Sequence, residues 1–457
     1  MSRKKILYDY ECFSVFDKYY VFSSQSQEII SVKKETYKYF TEIKNGDISY
    51  SDIGNPKAKS FFSSLLNNNH LSAYKTHSAP NFKYNSNMLS LVHTQRCNLR
   101  CSYCFANTKT SEHDMLEETG VDAIDFFINN VFDKNATVRI DLTGAGEPLT
   151  NEKFIKTIVK HVKNLNNKSV SCAFITNGML LNKKWRGYIE DNDIFWAISL
   201  DGSKEIHEEY RNGSNYDKII ENYKTLKLKT SWHHFGIRST FHSKSYNIIE
   251  IFEDLYKVGY GSPISINPAR LSENDPLSFD KTSLKDLLNS YDKFCLYLLN
   301  ITLNLDLGRI DSFFQGQGYF RKFIKSILSH SRTIYRCSAG VQDFAVNYDG
   351  SIYYCTSLCN YKKAITGNIY SGIIIEKKEY VKTLFADNSS NCAKCWARYN
   401  CAGPCMVTSL MKNNTFGSTT DYICKLNKHL IKLAIYYCHN VLIQRPDLIK
   451  YIEEKYK

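Results

Sequence analysis

Apolar residues near the start of the chain change period once. Tyr19-Tyr20-Val21-Phe22, a Ser/Gln turn and Ile29-Ile30-Ser31-Val32 predict a β-hairpin. Over residues 36–44 the spacing of Tyr37, Phe40 and Ile43 becomes that of a helix. Hairpin and helices together predict a small module over residues 1–86. Its tail, 72–88, carries Pro80 with several Asn and Ser and reads as a linker.

Beyond Met88, short apolar runs alternate with stretches of helical period. Strands are predicted at 89–93, 138–143, 171–176, 195–200, 235–240 and 264–267, with helices at 121–131, 154–165 and 216–228. This alternation predicts an α/β fold over 87–300, a parallel sheet with helical crossovers of the β/α-barrel kind. In such barrels the chemistry collects at the C-terminal ends of the strands. A bridging helical segment is expected over 301–336 and a cysteine-rich domain over 337–457.

The composition, 43% hydrophobic and 23% charged over 457 residues, is that of a folded multidomain protein. No apolar run has the length that spans a bilayer, and the basic start lacks the apolar core of a secretory signal. A cytoplasmic location is therefore expected, without a membrane partner. The net charge of +13 is spread over scattered lysine pairs such as Lys33-Lys34 and Lys362-Lys363. Nucleic-acid binding would want a basic patch with interleaved aromatics, so no nucleic-acid partner is expected. In a reducing compartment the 15 cysteines are better metal ligands than disulfide partners, and eight of them lie between Cys337 and Cys424.

Three more follow the first barrel strand, in Cys97-Asn98-Leu99-Arg100-Cys101-Ser102-Tyr103-Cys104. Thiolates at this C-x3-C-x2-C spacing can hold three corners of a [4Fe–4S] cube and leave one iron open for chemistry. Structural cysteines or a zinc knuckle lacking a ligand are the alternatives, but closed zinc sites want four ligands. Three turns end later strands: Gly144-Ala145-Gly146-Glu147-Pro148, Thr176-Asn177-Gly178 and Ser199-Leu200-Asp201-Gly202. Each also reads as ordinary cap-and-turn chemistry. Further on stands Cys337-x12-Gly350-x4-Cys355, then Cys392-x2-Cys395-x5-Cys401-x3-Cys405, then Cys424. Zinc ribbons use C-x2-C pairs as well.

The first triad resembles the signature of radical S-adenosylmethionine (SAM) enzymes, and Gly144 to Pro148 resembles their Gly-Gly-Glu-Pro motif, with Ala145 replacing a glycine. The seven later cysteines resemble the SPASM domain that follows such barrels in peptide-modifying enzymes. The resemblance covers roughly 88–430 and implies a partial (β/α)6 TIM-type barrel, SAM and three [4Fe–4S] clusters. Cys97, Cys101 and Cys104 would hold the cluster whose open iron chelates SAM. Tyr103, Ala145, Gly146, Glu147, Asn177, Ser199, Arg211 and Arg238 would line SAM, with His207 a further possibility. Cys392, Cys395, Cys401 and Cys424 would hold an outer auxiliary cluster, and Cys337, Cys355 and Cys405 an inner one. Cys359 is a candidate fourth inner ligand; otherwise that cluster keeps an open iron able to take a substrate thiolate.

What the resemblance implies for function is a maturase of a ribosomally made precursor peptide. A 5′-deoxyadenosyl radical would abstract hydrogen from a peptide carbon, and a thioether or carbon–carbon crosslink would follow. Flavodoxin or ferredoxin would supply electrons. The hairpin-and-helix module looks winged-helix-like, similar to the domains that grip a peptide leader by strand addition. An anaerobic sulfatase-type (formylglycine-generating) maturase is the alternative enzyme. There an aspartate base follows the G-x4-C cysteine, where this chain has Thr356. A non-catalytic iron–sulfur or zinc protein is the alternative outside enzymes.

Overall fold

The computed structural model describes residues 9–456 apart from 69, 72–85, 107–112, 166–168, 228–234, 331, 375, 377–383 and 390. Most of the expected linker over 72–88 therefore lies outside the described residues. Three antiparallel strands come first: β1 (Glu11–Val15), β2 (Lys18–Ser23) and β3 (Glu28–Val32), in the order β1-β2-β3. The expected hairpin is β2–β3. The sequence reading missed β1 because its five residues, Glu-Cys-Phe-Ser-Val, carry only a brief apolar alternation. Two helices follow, α1 (Lys34–Asn45) and α2 (Pro56–Asn67), and bury Phe40, Ile43, Phe62 and Leu65 against Tyr10 and Val21.

Six parallel strands form the barrel sheet. They are β4 (Ser86–Leu91), β6 (Thr137–Asp141), β7 (Val170–Thr176), β8 (Phe195–Ser199), β10 (Phe235–Phe241) and β11 (Ile264–Pro268), adjacent in that order. Helices α3 (Glu117–Asn130), α4 (Glu152–Asn164), α5 (Lys183–Asp191), α6 (Lys204–Tyr210), α7 (Tyr216–Lys227) and α8 (Ile248–Val258) are the crossovers. α3 starts four residues before the expected 121, because its first turn is Glu117-Glu118 and carries no apolar period. Strict alternation decides the faces. On β7, Val170, Cys172, Phe174 and Thr176 are buried, the first three in the core under the helices, while Ser171, Ala173 and Ile175 point to the other, concave side.

The barrel does not close. The free side of β4 is taken by β12 (Asp343–Val346), which pairs with it in parallel and leads through antiparallel β13 (Ser351–Tyr353), β14 (Ile365–Asn368) and β15 (Gly372–Ile373). One ten-stranded sheet thus runs across the boundary expected at 336/337. Beside β11 lie α9 (Lys281–Leu303), α10 (Leu307–Gln315) and α11 (Tyr319–Leu328), with Gln317 N–H donating to Ser265 Oγ at 2.7 Å. The long helix Asp421–Gln444 packs against α9 and α11.

The first module is also docked. Arg398, fully buried, donates to both oxygens of Asp9 at 3.1 and 2.8 Å and lies 3.3 Å from Asp387. Phe13 and Phe22 pack on Trp396, and Asn400 donates to Gln27. Among the described residues no helix is long and apolar enough to cross a membrane.

Candidate iron–sulfur and SAM site

The loop after β4 carries the cysteine triad, and three parts of the barrel hold it. Arg100–Cys101 (β5) pairs antiparallel with Arg211–Asn212 (β9), and Ser102 N–H donates to Tyr210 O at 2.8 Å. Gly146 N–H donates to Thr94 O (3.1 Å) and Glu147 N–H to Arg96 O (2.8 Å). Asn177 Nδ2 donates to Asn98 Oδ1 at 2.8 Å. These contacts tie the ends of β6, β7 and β8 to one loop, so the triad sits at the C-terminal edge of the sheet, as expected.

Gly146 has no room for a side chain: a Cβ there would stand 2.1 Å from Arg96 O. Gly144 takes φ +66°, in the left-handed region. Ala145 does not, which explains why alanine is tolerated where related motifs have glycine. Glu147 is buried, and its carboxylate is committed to the protein. It accepts from Thr176 Oγ1 (2.5 Å), Asn177 N–H (2.8 Å) and Leu149 N–H (3.3 Å). Burial pushes its pKa up to about 7, against the pull of those donors.

Asp201, expected as the cap of the following helix, is instead the hub of the neighbouring network, while Ser203 caps α6. It pairs with Arg211 (2.7 and 3.2 Å), accepts from Thr240 N–H (2.9 Å) and accepts the Tyr103 hydroxyl. The Arg211 guanidinium lies 5.5 Å from the Tyr103 ring centre. His207 accepts from Asp201 N–H through Nδ1 at 3.3 Å, and burial pushes its pKa down to about 4. Tyr103, Glu147, Asn177, His207 and Arg211 are thus all buried around the loop as its supports. Ser199 and Arg238 instead share a register position on β8 and β10, on the concave face.

The thiols gather in three groups. Cys97, Cys101 and Cys104 lie within electrostatic reach of one another, and burial raises Cys97 and pushes Cys101 up to about 11. Cys392, Cys395, Cys401 and Cys424 form a second mutually interacting set, with Asn427 Nδ2 donating to Cys401 Sγ at 3.1 Å. Cys337, Cys355 and Cys405 form the third. Cys359 is also buried. It interacts with Cys355 and Asp349 and packs in an apolar cluster with Val92, Tyr353, Leu358 and Ala364. Between the second and third sets lie Arg336, bonded to Tyr319 and Gly403, and Lys322, which both interact with Cys401 and Cys405. Neither was legible in residue order: Lys322 lies on a helix without a motif, and Arg336, though next to Cys337, is brought to Cys401 and Cys405 only by the fold.

All 15 cysteines are free. Among the described residues no three His, Cys, Asp or Glu side chains close on one metal ion. Thiols held protonated by burial become ligands only on losing protons, which a metal would drive. Cys12, Cys172, Cys295 and Cys438 stand outside these three groups; the last three are buried in the core, where Cys295 and Cys438 interact with each other.

Comparison with known proteins agrees with this geometry. The family model described as the radical SAM superfamily matches residues 91–255. The uncharacterized protein MJ0907 of Methanocaldococcus jannaschii is 31% identical over 220 residues, 47% of this chain and 74% of its own. The radical SAM cyclopropyl synthase TigE of Paramaledivibacter caminithermalis is 24% identical over 88% of this chain and 85% of its own. A cysteine-type anaerobic sulfatase-maturating enzyme of Clostridium novyi is 27% identical over 59% of this chain and 72% of its own. Among solved structures, anSMEcpe with bound AdoMet shares the fold at TM-score 0.65, with 21% identity over 81% of this chain and 98% of the other. Streptococcus suis SuiB bound to S-adenosylmethionine shares it at 0.53, with 15% identity over 90% and 98%. With its cysteine loop clamped at the C-terminal edge of a six-stranded parallel sheet, this chain is an enzyme that belongs to the radical SAM superfamily.

Proposed function

We propose that the enzyme installs a thioether or carbon–carbon crosslink in a ribosomally synthesised precursor peptide, using SAM and three [4Fe–4S] clusters. The observation that carries this reading is the gathering of ten cysteines into three separate groups in one chain, the first against the barrel and two beside it. Cys97, Cys101 and Cys104 would hold a [4Fe–4S] cluster, which when bound would supply the one electron that cleaves SAM to methionine and a 5′-deoxyadenosyl radical. The residues around it hold their loop rigid: Gly146 and Glu147 through its backbone, Asn177 through Asn98, and Arg211 and Tyr103 through Asp201. The concave face of the sheet receives the peptide and keeps water from it. Cys337, Cys355 and Cys405 would hold one auxiliary cluster and the set from Cys392 to Cys424 another, which would supply an acceptor for the leftover electron; Lys322 and Arg336 interact with Cys401 of one set and Cys405 of the other. Flavodoxin or ferredoxin is the electron donor that this chemistry asks for.

The leader would add to β3, an edge strand whose residues are all at least partly exposed. Solved SuiB with its precursor peptide SuiA, TM-score 0.50 at 16% identity, supports a peptide as substrate. The sulfatase-type reading has support too, from the Clostridium novyi relative. Against it stands Thr356 after Cys355, with no carboxylate before Lys362.

Anaerobic reconstitution with iron and sulfide, then dithionite and SAM, should yield 5′-deoxyadenosine. Cys97→Ala should abolish it while auxiliary iron stays bound. Coexpression with the short open reading frame beside the gene, followed by mass spectrometry, should show a crosslinked peptide. Formation of an aldehyde in a sulfatase-derived peptide, with no crosslink in that product, would select the other reading.

A further inference from the structure

The concave face of the sheet holds a cavity of about 300 Å³, lined among others by Arg139, Asp141, Phe195, Arg238 and Gln317. Alternation puts Arg139 and Asp141 of β6 here, since Val138 and Ile140 are buried on the opposite face. Two guanidiniums and one carboxylate leave the cavity one positive charge in excess.

Neither arginine is neutralised at contact. Asp141 is spoken for: Ser90 Oγ donates to one oxygen (3.1 Å), and Thr143 N–H and Oγ1 donate to the other (3.1 and 2.5 Å). Arg238 donates to Gln317 Oε1 at 3.3 Å and feels Asp141 only at longer range. Arg139 lies over the Phe195 ring, 4.4 Å from its centre. Neither forms an ion pair among the described residues. A guanidinium carries five donors in a planar fork shaped for a carboxylate. Two such forks facing one cavity, with most donors unmatched, make a receptor for an anion.

Gly144, where the turn against the cysteine loop begins, lies five residues after Arg139, roughly 16 Å along an extended chain. Arg139 therefore stands at the far end of the concave face from the cysteine loop. It also borders a larger cavity, about 960 Å³, at the N-terminal ends of the strands, and Met88, Arg139 and Phe195 line both. The stacked Arg139–Phe195 pair is the point where the two cavities meet.

We propose that Arg139 and Arg238 bind a carboxylate of the peptide substrate, an Asp or Glu side chain, and that the peptide reaches it past Arg139 and Phe195. This rests on the peptide-maturase reading above. Net positive charge and unmatched donors select the acid over its amide. Gln317 orients Arg238, and the Phe195 face holds Arg139 extended.

The test uses the full chain, anaerobically reconstituted, with SAM present. Acetylated pentapeptide amides Ala-Ala-Xaa-Ala-Ala, with Xaa as Glu, Asp, Gln or Asn, are titrated by calorimetry. The acids should bind roughly 10- to 100-fold tighter than the amides, the range of a charge-assisted hydrogen bond. Arg139→Met should erase that preference, and Arg139→Lys should restore part of it. SAM affinity of Arg139→Met, by equilibrium dialysis, should match that of the parent. Equal binding of acids and amides overturns the proposal, and so does a loss of SAM affinity in Arg139→Met. If Arg238→Met loses SAM but keeps the preference for acids, Arg238 serves SAM and the two-arginine site is refuted. Near-UV circular dichroism checks that each variant is folded. Failure of SAM cleavage would instead sink the function proposed above, which this titration does not touch.

Discussion

Gly146→Ala is the sharpest probe of how the barrel holds its cysteine loop. The added methyl would stand 2.1 Å from Arg96 O and 2.9 Å from the carbonyl carbons of Arg96 and Gln95. All three are backbone atoms, so no side chain can swing away. Restoring an ordinary contact requires the loop to retreat by about 1 Å, and overpacking of this kind costs about 1–3 kcal/mol. The same shift stretches the Gly146–Thr94 and Glu147–Arg96 hydrogen bonds, which set the loop's position. A misplacement of 1 Å at a reacting centre lowers rate roughly 100-fold. The expected outcome is a fall of about that size in 5′-deoxyadenosine formation, with auxiliary iron retained at the Cys97→Ala level or above. Ala145→Gly, in contrast, should leave the rate within a few-fold, because Ala145 has no positive φ to relieve. Gly187→Ala serves as control, since its Cβ would meet nothing within 4 Å. Full activity in Gly146→Ala would refute the clamp.

Three further outcomes follow from buried groups. His93, stacked on Phe154 and bonded through Nε2 to Leu142 O, has a buried Nδ1 without a partner, and its pKa is pushed down from 6.5 to about 4. The unfolded chain therefore binds the extra proton first, and stability present above pH 6.5 is lost as pH falls toward 4, by about 3 kcal/mol. Urea unfolding at several pH values should show this slope, and His93→Gln should flatten it. Asp9→Ala leaves the Arg398 guanidinium buried with Asp387 alone and should cost about 3 kcal/mol in the same assay; a loss under about 1 kcal/mol would mean that the first module docks through its aromatics instead. Cys359→Ala should leave bound iron and sulfide unchanged, whereas Cys355→Ala should lower both, as measured by colorimetric iron and sulfide assay. Equal losses in the two variants would make Cys359 a ligand.

Much of this was legible from residue order. Thiol spacing is local chemistry: Cys97, Cys101 and Cys104 present their sulfurs together because short loops leave them little choice. Strand–helix alternation is equally local, and all six barrel strands lie within a few residues of their expected places. The caps were displaced from their expected places: Asn182 and Ser203, rather than Asn177 and Asp201, cap α5 and α6. Long-range partnerships were not legible. Nothing near Asp201 says that it will hold Arg211, Tyr103 and Thr240 at once, and nothing near Arg398 names Asp9, hundreds of residues earlier. β12 looked like the start of a separate domain, yet it finds the open edge of β4 because an unpaired strand edge in a buried sheet must be covered. Arg139 and Asp141 read as polar positions of an ordinary strand. Only the curl of the sheet turns that polar face inward to line a cavity with Arg238. The sequence by itself therefore determined which atoms can hold iron and which segments are strand or helix, since both depend on neighbours a few residues apart. The tertiary structure alone decided which charges meet, which thiols share a site and which face looks into the barrel, because those depend on packing between distant parts of the chain.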